Sequence, residues 1–288
     1  MINKTKKSGV KLDVIITTSY SPYLNSLVNL KKTIESINVI TDLRTNKVSY
    51  RLIIALDGLN PNYNSIWHQI SYRRFVKNVT KLETEGVIIA VNENWGHLSG
   101  NLYNAFEFAV RSRFTLIVQD DLMFINDLPI RKIIATIENH PKIKHVRFNR
   151  RSNIVSGRDT ELTQIKSGDL FFLKTNNWSD NNHITTSDYY RKIVFPRIDN
   201  KKTYPENVLR KFNEINSEAC GTFIYGKLNS NQSIMNIGDL KSRIRAQMLK
   251  LNTTNIILAK ILYWLILFHD LLKPVKHLII PKGNTSGT

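Results

Sequence analysis

Four short runs, "LDVIITT" (12–18), "YRLIIAL" (50–56), "VIIAV" (87–91) and "TLIV" (115–118), are β-branched and almost free of polar interruption. A strand wetted on one face alternates apolar and polar residues. A strand covered on both faces does not. Between these runs apolar residues return at helical spacing. Leu27, Leu30, Ile34 and Ile37 follow the helix entry at Ser21-Pro22, a second helix is predicted over 64–77, and Leu102, Ala105, Phe106 and Ala109 mark a third. Strand and helix in strict alternation confine a chain to one architecture. It is an α/β, Rossmann-like, mostly parallel sheet with helices on both faces.

Beyond Phe124 the alternation weakens. A helix is predicted over 129–139, strands over 145–148 and 170–173, a helix over 205–217 and a strand over 221–225. The run "NNWSDNNHITTSDYY" reads as a polar loop, and His97 and His183 as loop residues rather than metal ligands. Composition shifts near Asp239. The chain is therefore divided into an N-terminal tail (1–11), a folded domain (12–239) and a basic, apolar C-terminal helical extension (240–288).

The polar residues of the first half are not scattered. Thr17-Thr18-Ser19, Asp57, Asn92 and Asn94, and Asp120-Asp121 each stand just past the C-terminal end of a predicted strand. In open α/β sheets the ligand crevice lies at those ends. Two adjacent carboxylates at the end of a buried strand repel one another and resist desolvation. They need compensation. They could cap the following turn or pair with Arg or Lys, or they could hold a metal. Hard carboxylate oxygens suit Mg²⁺ or Mn²⁺, which complete their shells with substrate phosphates and water.

Other ligand classes lack their motifs. There is no G-x-G-x-x-G after the first strand, no P-loop, no Cys/His cluster for zinc and no G-x-S-x-G elbow. A nucleotidyltransferase would want a Gly- and Lys/Arg-rich loop after the first strand, and "TTSYSPYLN" is not one.

"VIITTSY", "LIIALDG" and "LIVQDDLMF", in that order and spacing, resemble the GT-A glycosyltransferases, which use a nucleotide-sugar donor and a D-x-D-like motif. The resemblance covers roughly 12–239. It implies that Thr17, Thr18, Ser19 and Asp57 contact the base and ribose, and that Asn94, Gly96 and Asn104 lie near ribose and phosphates. It further implies that Asp121 ligates Mn²⁺ or Mg²⁺ while Asp120 contacts ribose, sugar or metal. Gln119 stands where many members carry an acid. Asn236, in "NIG", stands where the family often has a metal-binding His, so Asn236 joins the metal set. The implied reaction is transfer of a sugar to a hydroxyl of a glycan or lipid-linked acceptor, with inversion. Such a transfer needs a base. The candidates are Glu206, ranked first at the start of a helix after Pro205, then Asp180, with Asp188 behind. A first-turn Glu is also favoured by the helix dipole alone. Trp178 is a candidate to stack on a sugar face, or to pack in the core.

Lys plus Arg number 41 against 23 acids, a net charge of +18. That balance calls for an anionic partner. Nucleic acid is the competing class, but no binding motif supports it, and the basic residues are not interleaved with aromatics in a patch. The other anionic partners are a phosphorylated substrate and an anionic membrane surface. "NIILAKILYWLILFHDLL" (255–272), flanked by "KSRIRAQMLK" and "KPVKHLIIPK", is too interrupted for a spanning helix and suits either the core or a membrane interface. With a single cysteine, no intrachain disulfide forms and a reducing compartment fits. The expectation is a cytoplasmic enzyme, peripheral on the cytoplasmic membrane face.

Overall fold

The structure, a computed structural model, describes residues 11–22, 26–198 and 204–237. The C-terminal extension and the tail before Lys11 lie outside the described residues.

The first half follows the predicted alternation. Strands β1 (Lys11–Thr18), β2 (Ser49–Leu56), β3 (Ile88–Val91) and β4 (Phe114–Gln119) are mutually parallel where they pair, in the order β3-β2-β1-β4. Helices α1 (Ser26–Ile37), α2 (Ile66–Thr80) and α3 (His97–Phe108) connect them. β1 is buried from Leu12 to Thr18 because both of its faces are covered. Val14 and Ile16 join a core with Leu30, Ile37, Phe75 and Val79 of α1 and α2. Ile15 joins a second core on the other face with Ile53, Leu102, Ala105 and Phe106. Helices thus lie on both faces, as expected.

The second half departs from its sequence pattern. β5 (Leu122–Phe124) turns away from β4, and α4 (Ile130–Asn139) follows. The large sheet continues with β6 (His145–Arg147), β7 (Leu162–Ser167), β8 (Leu170–Thr175), β9 (His183–Thr186) and β10 (Thr222–Tyr225), in the full order β3-β2-β1-β4-β9-β6-β10-β8-β7. β9 sits in the middle of this sheet, antiparallel to both β4 and β6. The expectation of a polar loop over "NNWSDNNHITTSDYY" therefore holds for 176–182 and fails from His183 onward. The polar side chains of His183 and Thr185 are buried but bonded. Thr185 Oγ1 donates to Lys144 O (2.6 Å) and the His183 ring meets Asn181 O (2.6 Å) and Tyr190 OH (2.9 Å). A strand satisfied by hydrogen bonds leaves no apolar alternation to read. The chain then coils through Ser187–Tyr189, a π-helical turn Tyr190–Val194 and Phe195–Ile198, and after the next described residue, Tyr204, enters α5 (Pro205–Ile215). A small second sheet pairs β5 with β11 (Ile234–Asn236).

Candidate active site

Register aligns the strand ends. Thr17 pairs with Gln119, Thr18 with Leu56, and Leu56 with Val91. One step further, Asp57 N donates to Thr18 O (3.0 Å), Asp120 N to Thr17 O (3.1 Å) and Asn92 N to Leu56 O (2.8 Å). Thr18, Asp57, Asn92 and Asp120 therefore stand side by side along one rim, with Ser19 half-buried just past β1.

Asp120 is buried, and its carboxylate is oriented by the Thr18 hydroxyl, which donates to Oδ2 at 2.6 Å. Its carbonyl accepts from Thr33 Oγ1 (2.8 Å), so α1 fixes the turn in which the carboxylates lie. Asp57 is also buried. Its Oδ1 accepts from the amides of Gly58 (2.9 Å) and Gly96 (2.8 Å). Burial pushes the Asp57 carboxyl up to about 6, against the pull of those amides. The carboxylate thus organises the loop that opens α3, and that loop packs tightly. A Cβ on Gly58 would lie 2.3 Å from the Asn94 carbonyl carbon, and one on Gly96 would lie 2.4 Å from Asn92 Nδ2. Both glycines are required by close backbone approach. Asn94, Gly96 and Asn104 line a cavity of about 430 Å³ together with Asn92, Trp95, Tyr103 and Glu107. Asn104 Nδ2 also donates to Val91 O (3.1 Å), holding the end of β3.

Asn236 pairs with Leu122 across the small sheet, and Ile237 N donates to Asp121 O (2.8 Å). The residue expected from the end of the domain is therefore set beside Asp121. Its Oδ1 is buried without a hydrogen-bond partner among the described residues. An orphaned amide oxygen on a residue whose backbone lies beside Asp121 suits a hard cation. Among the described residues no three Asp, Glu, His or Cys side chains converge as a metal site. A metal here would rest on Asp121 and Asn236, with Asp120 adjacent, and on the phosphates of its ligand.

The third corner joins the two acids that the sequence offered as bases. Asp180 and Glu206 are close enough to interact, and burial first, then the Glu206 charge, raise the Asp180 carboxyl. Glu206 Oε1 accepts from the Arg158 guanidinium (2.6 Å). This corner is tied to β4. Gln119 Nε2 donates to Asp180 O (2.8 Å), and Asn182 Oδ1 accepts from Gln119 N (2.9 Å) while its Nδ2 donates to Leu122 O (2.8 Å). Sequence reasoning missed Asn182, Arg158 and the reach of Gln119. These contacts join residues far apart in the chain, and no local signal marks them.

Two candidates fall away, and one further reading is corrected. Asp188 follows β9 at Thr186, which pairs with Phe114 at the far end of β4, and it is exposed in an ion pair with Lys192 (2.7 Å). Trp178 is fully buried, donates to Tyr189 OH (3.0 Å) and stacks on His145 (5.0 Å), so it packs rather than meets a sugar. His183 is a core strand residue, not a loop residue.

No protein-family model matches the chain, and no curated protein matches it in sequence. Solved structures do match. A crystal structure of GalNAc-T7 with UDP, GalNAc and Mn²⁺ aligns at a TM-score of 0.50 and 10% identity, over 78% of this chain and 46% of that one. The chain has the GT-A fold. Structures of S. aureus TarS align at 12% identity: one at a TM-score of 0.49 over 83% of this chain and 39% of that one, and one of TarS 1–349 with UDP-GlcNAc at 0.48 over 83% and 65%. The chain thus spans less than half the length of GalNAc-T7 and of the longer TarS chain.

Proposed function

We propose that the chain is a glycosyltransferase that moves a sugar from a nucleoside-diphosphate donor to a hydroxyl of a glycan or glycolipid, with inversion. The observation that carries this reading is the joint at Gln119. Its chain neighbours are the rim carboxylates Asp120 and Asp121, and its side chain holds Asp180. A donor-anchoring corner and an acid–base corner are thereby fixed to one strand end. The fold shared with GalNAc-T7, whose structure holds UDP, GalNAc and Mn²⁺, supports the same reading.

Asp180 takes the base role in this proposal, reversing the order suggested by sequence. Glu206 is already engaged by the Arg158 guanidinium. Asp180 is raised by burial and by Glu206, so it accepts a proton more readily. It removes the proton of the acceptor hydroxyl as that oxygen attacks the anomeric carbon, and the bond to the nucleoside diphosphate breaks. Thr18 orients Asp120 toward ribose or sugar, and Asp57 acts through the loop holding Asn94 and Gly96. Mn²⁺ or Mg²⁺ held by Asp121 and Asn236 would supply positive charge to the departing diphosphate.

Thermal-shift assays with UDP, GDP and CMP, with and without Mn²⁺, test this. A ligand at a hundred times its Kd stabilises by about 2.7 kcal/mol. One nucleotide should give a Mn²⁺-dependent shift, Asp121→Ala should remove the metal-dependent part, and Asp180→Asn should keep the shift while cutting turnover about 10²–10⁴-fold. A chain that no nucleotide stabilises would not be a transferase of this kind.

A further inference from the structure

Two loops at the same rim are held together from inside by one amide. Asn153 is buried, and its Nδ2 donates to Tyr225 O (3.0 Å), Lys227 O (3.3 Å) and Ser230 Oγ (2.9 Å). Its Oδ1 accepts from Asn149 Nδ2 (3.1 Å), and backbone bonds run from Asn153 N to Ser230 O (2.9 Å) and from Asn229 N to Asn153 O (2.8 Å). Gly226 has φ +109°, and a Cβ there would lie 2.9 Å from Asn153 Nδ2. The segments 149–158 and 226–230, which follow β6 and β10, therefore form one platform.

While Asn149 and Asn153 face inward, three apolar side chains of the platform are exposed. Ile154, Val155 and Leu228 are 44%, 58% and 43% exposed. Neither segment contains an acid, and Asp159, the residue after the first, is withdrawn into an ion pair with Arg147. Around the apolar tip stand exposed Arg150, Arg151 and Lys227, with Arg158 linking the platform to Glu206. An apolar tip collared by cations suits the boundary of an anionic bilayer, where the tip enters the headgroup layer and each cation meets lipid phosphate. A nucleic acid or a soluble polyanion would engage the collar and leave the tip in water.

We propose that this two-loop platform seats the protein on an anionic lipid surface through Ile154, Val155 and Leu228, with Arg150, Arg151 and Lys227 on the headgroups. The inference rests neither on the C-terminal segment nor on the transfer reading.

Cys220, the single cysteine of the chain, is buried, so a cysteine placed on the surface can be labelled selectively. The full chain carrying Val155→Cys is labelled with an environment-sensitive fluorophore, and Asn78→Cys, on exposed helix α2, serves as control. With phosphatidylglycerol vesicles at low salt, the label at 155 should brighten several-fold and shift to the blue, and the label at 78 should not. Phosphatidylcholine vesicles should change neither. Each of Arg150→Ala and Arg151→Ala should weaken vesicle binding roughly fivefold. If the full chain binds vesicles while the label at 155 stays in water, the platform is not the contact, although a membrane role elsewhere survives. If the chain binds no vesicle, or if a soluble anionic polymer changes the label as the bilayer does, the proposal is overturned. None of these outcomes bears on nucleotide binding.

Discussion

Gln119 stands where the GT-A resemblance expects an acid, and its environment explains the neutral residue. An acid there would bring a third carboxylate to Asp180 and Glu206, which already repel. The amide instead donates to the Asp180 carbonyl and leaves the pair with one cationic neighbour, Arg158. A prediction separates the two acids. If Asp180 is the base, Glu206→Gln removes the charge that helps to raise it. The carboxyl then ionises at lower pH, and the acidic limb of the pH–rate profile moves down with turnover on the plateau largely kept. If Glu206 is the base, the same variant is inactive at every pH. Full pH profiles of wild type, Glu206→Gln and Asp180→Asn decide between them.

At the scale of elements, β6 and β9 bring two buried histidines together. The His145 and His183 rings lie 4.4 Å apart, and neither His145 nitrogen has a hydrogen-bond partner among the described residues. Burial lowers both, His183 to about 4, below the value of about 6.5 expected in an unfolded chain. Both are neutral when folded and protonated when unfolded below that value. The stability they confer is complete above pH 6.5 and is lost as pH falls toward 4, about 3 kcal/mol for His183 alone. Asp57 and Asp180, raised in the folded state, work in the opposite direction over an overlapping range. Comparing wild type with His145→Leu isolates the histidine part. Urea midpoints at pH 7 and pH 5 should show a smaller acid loss in the variant, and an equal loss would refute the assignment. The same pair of strands marks the limit of what the sequence discloses. β1 to β4 were legible because covered parallel strands are written in continuous Val and Ile, and their register then aligns Thr18, Asp57 and Asp120. β9 was not, because His183 and Thr185 are buried by hydrogen bonding rather than by apolarity. Asp180 and Glu206 were each visible as acids. Their contact was not, since it depends on β9 entering the sheet beside β4.

For the whole molecule, the +18 charge and the segment 240–288, outside the described residues, pose one question. No helix among the described residues is long and apolar enough to cross a membrane. On a helix, Ile256, Ile257, Leu258, Ile261, Leu262, Trp264, Leu265 and Phe268 would cover most of the circumference, a surface that water does not favour. Either the segment packs on the protein, or it lies in a bilayer interface with Tyr263 and Trp264 at headgroup depth and Lys241, Arg243, Arg245, Lys250, Lys273 and Lys276 on anionic lipid. Each such cation contributes about 1 kcal/mol near an anionic surface, and salt screens it. Two separate contacts, this segment and the platform around Ile154, would orient the rim toward a lipid-linked acceptor. The full chain should therefore float with anionic but not neutral liposomes, and high salt should release it. A chain ending at Gly238, which lacks all of these cations, should float more weakly but still prefer anionic liposomes, because the platform remains. A full chain that stays in the soluble fraction at low salt would end the membrane reading. A truncated chain that unfolds while the full chain does not would instead assign the apolar segment to the core.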